Sequence, residues 1–76
     1  MDQITRPLGP ESWIARIFSA QAVRKGGVVR RDVRWVEREI GRARFEQEVR
    51  DRGFHMIECG GQFVVICNRG GIRVIC

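Results

Sequence analysis

This 76-residue chain has one histidine, three cysteines and no apolar run longer than Phe63–Cys67, and each scarcity removes a class of function. With a single imidazole and no serine or acid set beside it by pattern, no nucleophile–base triad can be written. Cys67 or Cys76 in an apolar strand makes a poor thiolate, and the expectation is a protein without catalytic activity. His55, Cys59, Cys67 and Cys76 are metal-ligand types without metal-ligand spacing. His55 and Cys59 stand roughly 13 Å apart along an extended strand, by the rise per residue, and no CxxC knuckle exists. No phosphate loop or dinucleotide fingerprint is present either, so neither metal nor any other cofactor is expected. An odd cysteine count argues for free thiols rather than a disulfide framework. The longest apolar run is far below the roughly 20 residues of a membrane span, and the opening Met-Asp-Gln-Ile-Thr-Arg lacks the basic and apolar segments of a signal peptide. These features point to a cytoplasmic protein with no membrane partner.

What is present is enough for one small core. The 43% apolar content suits a globular chain, and the 30% charged content is mixed in sign, unlike that of a disordered segment. A chain of this size buries roughly 60% of its unfolded surface and supports a single domain. Pro7, Gly9 and Pro10 break any regular pattern near the start, so residues 1–9 read as an arm and residues 10–76 as the domain. Fourteen basic residues against nine acidic give a net charge of +5, a bias toward acidic or polyanionic partners.

Helical patterning comes first. Pro10 suits a helix start, and Trp13, Ile14, Ile17, Phe18 and Gln21 fall within one arc of a 3.6-residue period. Gly26-Gly27 ends whatever follows, and Val28-Val29 is a short β-branched stretch. Asp32 reads as an N-cap for a helix that places Val33, Val36 and Ile40 on one face. Gly41 interrupts, and a further helix carries Phe45 and Val49 to a terminator at Gly53. The stretch from Arg30 to Arg52 holds eight arginines and six acids around this thin apolar thread.

Beyond Gly53 the period changes to two. Gly60-Gly61 sits between Phe54–Cys59 and Gln62–Asn68 as a two-residue hairpin turn that sets Cys59 opposite Gln62. Arg69-Gly70 reads as a second turn leading into a third strand, Ile72–Cys76. One face of that sheet then gathers Phe54, Met56, Phe63, Val65, Cys67, Ile72, Val74 and Cys76 and carries the helices. The other collects His55, Ile57, Cys59, Gln62, Val64, Ile66, Arg73 and Ile75, too apolar a set to be left in water, and its cover is either the first helix or a second copy. The expected fold is α+β: three short helices packed on a C-terminal three-stranded antiparallel meander.

The order helix, short strand, helix, helix, hairpin resembles that of winged helix-turn-helix domains over Arg16–Asn68, with Gly41 in the position of the turn glycine. The resemblance implies nucleic-acid binding, with Arg42–Arg52 as the groove-reading helix, Arg44, Gln47, Arg50 and Asp51 as its outward positions, and Phe54–Asn68 as the wing. The chain departs from the pattern in carrying Arg42 and Gln47 where the family sets apolar residues, and in placing Glu46, Glu48 and Asp51 on the reading helix.

Two functional readings follow. In the first, Arg31, Arg34 and Arg38 flank Trp35 on a cationic helical face that Arg44 and Arg50 extend. Guanidinium groups would contact the phosphates of DNA or RNA while the indole stacks. The bland alternative for the same residues is a solvated helix face with i to i+4 ion pairs and Trp35 packed on a neighbour. In the second, the chain is a protein-interaction module or homodimer whose interface is Ile57, Val64, Ile66 and Ile75. Arg24, Lys25, Arg30 and Arg31 also bracket the Gly26-Gly27 turn, where exposed amides among cations suit an anion, against the plainer reading of a turn between helix and strand.

Overall fold

The computed structural model describes residues 9–76, so the expected N-terminal arm lies, Gly9 apart, outside the described residues. Helix α1 spans Pro10–Phe18, with proline at its first position and Glu11 in its first turn. Its Ile14 and Ile17 are buried and Trp13 and Phe18 are half-buried, the arc that the periodicity predicts. Gln21 instead opens a separate single turn, α2, Gln21–Arg24. Gly26 then takes a positive φ of 73°, and the Gly27 amide donates to the Ala22 carbonyl at 2.7 Å.

Strand β1 spans Val28–Asp32, and Asp32 is at once its last residue and the cap of helix α3, Val33–Glu39, accepting the Trp35 amide at 3.1 Å. Gly41, at φ 93°, serves two helices. Its N–H closes α3 on the Val36 carbonyl at 2.8 Å, and its carbonyl accepts the Phe45 amide at 3.1 Å to open α4, Arg42–Asp51. Gly53, at φ 75°, lets the Phe54 amide reach back to the Val49 carbonyl, the expected glycine stop. Strands β2, His55–Cys59, and β3, Gln62–Ile66, follow, joined by Gly60 and Gly61 with φ of 58° and 77°, the positive pair that a tight hairpin requires. Cys59 faces Gln62, as the two-residue turn dictates.

The class is α+β, with a three-stranded antiparallel sheet ordered β1-β3-β2. The third strand differs from expectation. It is Val28–Asp32, from between the helices, and Ile72–Cys76 forms no strand. The reason is occupancy: β2 pairs along one side of β3 and β1 along the other, in the register Val28 to Ile66 and Asp32 to Gln62, so β3 has no edge left. The Cys67 amide prolongs the β1 pairing onto the Gly27 carbonyl at 2.9 Å. Burying Val29 against the core is what β1 gains in exchange for its three charged residues.

The four helices of the described residues all pack apolar side chains on the core that covers one face of this sheet. Ile14, Ile17, Val29, Val36, Ile40, Phe45, Val49, Phe63, Val65 and Cys67 form the buried core, with Phe54 and Met56 packed against it. Phe45 sits between Phe18 and Phe63, each ring centre 6.1 Å away, and so ties α1, α4 and β3 together. The predicted inner face therefore holds for Phe54, Met56, Phe63, Val65 and Cys67 and fails for Ile72, Val74 and Cys76, which are exposed.

Candidate binding surfaces

The cationic helical face is largely neutralised where it stands. The Arg38 guanidinium meets Glu39 at 2.9 Å, Arg44 meets Glu48 at 2.9 Å and Arg50 meets Glu46 at 2.8 Å. The last two are i, i+4 pairs along α4, as is Arg52 with Glu48 at 2.7 Å. Glu48 thus accepts from two guanidiniums, which hold its carboxyl below the usual range, Arg52 more strongly than Arg44. On the same helix the Gln47 amide donates to Asp51 at 2.6 Å.

Trp35 is not a free stacking platform. It is half-buried and meets the edge of Trp13 with ring centres 4.9 Å apart and an interplanar angle of 79°, so it seals the α1–α3 contact. Arg31 lies on β1 rather than on a helix, half-buried, with its guanidinium on the Arg30 carbonyl at 2.7 Å. Arg34 is exposed on α3 beside Asp32, Glu37 and Glu58, which share a hollow with the hairpin glycines. The six arginine-face residues are thus spread over β1, α3 and α4. Among the described residues three of them carry a carboxylate partner, and the aromatic member is spent on packing.

The sheet face turned away from the helices is largely apolar, and no described element covers it. Strand register sets it out in three rows: Val28, Ile66 and His55; Arg30, Val64 and Ile57; Asp32, Gln62 and Cys59. Val28 and Ile57 are 47% and 48% exposed, while Val64 and Ile66 between them are half-buried by their neighbours alone. Helix α1 is not the cover, since Ile14 and Ile17 enter the core from the opposite side. Ile57, Val64 and Ile66 therefore share one surface as predicted. Ile75 does not join them, because its segment has no place in the sheet; it is 81% exposed. Val28 and Arg30 belong to this face and are absent from the predicted interface. Reading Val28–Asp32 as the third strand would have found them.

Two further features adjoin the face. A groove of about 290 Å³ between α4 and β2 is lined by Phe54, Met56 and the buried Val49 and Phe63, with Arg42, Glu46 and Arg50 of α4 alongside. Beyond β3 the chain turns at Asn68, whose side chain accepts the Gly70 amide at 2.7 Å, and the Gly70 carbonyl accepts from His55 Nε2 at 2.6 Å. Arg69 donates to the Arg52 carbonyl at 3.1 Å, which brings the segment back across the start of β2.

Among the described residues no three of His, Cys, Asp and Glu converge, and no helix is long and apolar enough to cross a membrane. Cys67 is buried, which pushes its thiol up, whereas Cys59 and Cys76 are exposed. No family model, no curated protein and no solved structure matches this chain.

Proposed function

We propose that the protein is a small interaction module that self-associates through the helix-free face of its sheet. The observation that carries this reading is where exposed apolar surface occurs. Val28, Ile57, Ile72, Val74 and Ile75 are the large hydrophobic residues left exposed among the described residues, and none lies on a helix. The first two stand on the open sheet face and the other three in the segment that follows the sheet. A contiguous apolar face of this kind is costly in water and gains from a partner that removes it. Val64 and Ile66 on the central strand, flanked by Val28 and Ile57 and bordered by Arg30, Asp32, Gln62 and His55, give an apolar middle with polar residues about it, as in a protein interface. Light scattering over a rising protein concentration tests this. Dimer mass is expected for the wild type and monomer mass for Val64→Glu, with little change on adding salt. Monomer mass throughout would remove the reading.

Nucleic-acid binding is the second reading, favoured by the element order and the net charge of +5. The strand that precedes the α3–Gly41–α4 pair, and the hairpin that follows it, accord with the winged-helix resemblance. The carboxylates that hold Arg38, Arg44 and Arg50 weigh against the helical face as the contact surface, because each must be displaced before a phosphate takes its place. An acidic α4 stripe of Glu46, Glu48 and Asp51 adds to that cost.

A further inference from the structure

The segment Ile72–Cys76 reads as a strand and pairs with no other strand among the described residues. Its sequence, Ile-Arg-Val-Ile-Cys, is β-branched at three of five positions. Val74 and Ile75 are 80% and 81% exposed and belong to no part of the buried core. A row of unpaired backbone groups with apolar side chains is a template for strand addition. The inner strand β3 cannot accept it, being paired on both sides. Two outer edges remain, and they differ in chemistry. Strand β1 carries Arg30, Arg31 and Asp32 in succession, and the Arg31 guanidinium covers the Arg30 carbonyl, a charged and partly capped edge of the type that resists addition. Strand β2 has one carboxylate, Glu58, in five residues and borders the groove lined by Phe54 and Met56.

We propose that Ile72–Cys76 of one copy adds as a fourth strand along the outer edge of β2 in a second copy, seating alternate side chains in the groove between β2 and α4. This rests on the self-association reading above and names the segment that completes it. Alternation seats Ile72, Val74 and Cys76 over the half-buried Phe54 and Met56, where apolar surface is removed on both sides. Arg73 and Ile75 then extend the open face beside Ile57, so the added strand and the apolar face form one continuous surface. The bond from His55 Nε2 to the Gly70 carbonyl holds each segment's root at its own sheet. Gly70-Gly71 supplies the pivot from which the segment leaves.

The test uses the full chain under reducing conditions, because exposed Cys59 and Cys76 would otherwise link copies covalently. Light scattering gives the mass, and hydrogen exchange reads the backbone amides of His55–Cys59, for the wild type, Val74→Pro and Val64→Glu. Proline removes an N–H and blocks strand pairing at a residue that is 80% exposed and outside the core, so the fold is retained, as circular dichroism would verify. The expected result is a wild-type dimer with slowed exchange in β2, and loss of both the dimer and the slowed exchange in Val74→Pro. A dimer that survives Val74→Pro but not Val64→Glu overturns the strand addition and leaves the open face standing. A dimer lost in Val74→Pro yet kept in Val64→Glu supports the strand addition and overturns the open face. A wild-type monomer overturns both, including a monomer whose own segment protects its own β2.

Discussion

Glu48 shows how a single carboxylate can organise a helix whose formal charge cancels. It accepts from Arg52 at 2.7 Å and from Arg44 at 2.9 Å, and Arg52 also lies 4.0 Å from the centre of the Phe18 ring. One acid therefore fixes the guanidinium that covers the aromatic end of the core. Its folded-state carboxyl is held below the usual range, so its stabilisation is present at neutral pH, above the unfolded value, and is lost as pH falls through the acidic range. Glu48→Gln should cost about 0.5–1 kcal/mol at neutral pH, the size of partly exposed helical pairs. Urea unfolding at stepped pH checks the sign: the gap between wild type and variant should narrow as pH drops. A gap that widens toward acid would refute the assignment. Cys67 runs the other way. Burial raises its thiol, so that contribution is intact below the ordinary thiol value and lost as pH rises through the folded one.

Among the elements, the α3–α4 junction rests on the backbone of one glycine. Gly41 combines φ 93° with ψ 132°, a region side chains avoid, yet nothing lies within 4 Å of where a Cβ would stand. Gly41→Ala should therefore lose about 1–3 kcal/mol purely from backbone strain, without a steric clash. Thermal unfolding checks this, and an unchanged midpoint would show that the junction relaxes. That glycine, the Asp32 cap, the Gly53 stop and the Gly60-Gly61 turn were all legible in the sequence, because each is a local device with local cause. The third strand was not. Ile72–Cys76 has the better strand pattern, but pairing is decided by which segment reaches the free side of β3, and β1 wins there by burying Val29 in the core. The fate of Trp35 was beyond reach for the same reason, since its partner Trp13 sits on another helix. The ion pairs of α4 were readable from i, i+4 spacing. That they outweigh the cationic reading follows only once Arg44, Arg50 and Arg52 are each seen to hold a carboxylate.

Over the whole molecule, charge and apolar surface are sorted to different places. Helix α3 carries two arginines and two glutamates, and α4 carries three arginines and three acids, so the net +5 resides outside these two helices. A surface that neutralises nucleic-acid phosphates does so with charges it can spare, and affinity then falls steeply with salt, by a slope set by the number of phosphates contacted. Arg38 and Arg44 have little charge to spare, each holding a carboxylate at 2.9 Å. The double variant Arg38→Ala/Arg44→Ala should therefore change affinity for short duplex DNA or RNA by no more than about twofold at either end of a roughly 50–200 mM salt range. Tryptophan fluorescence is a poor reporter of this binding, because Trp35 and Trp13 shield one another, so anisotropy of a labelled oligonucleotide is the suitable signal. A tenfold loss in the double variant, with a shallower salt slope, would make the helical face a nucleic-acid surface. The same loss would demote the sheet face to a secondary contact. Unchanged affinity, together with dimer mass for the wild type, would leave the apolar sheet face as the surface by which this domain recognises a partner.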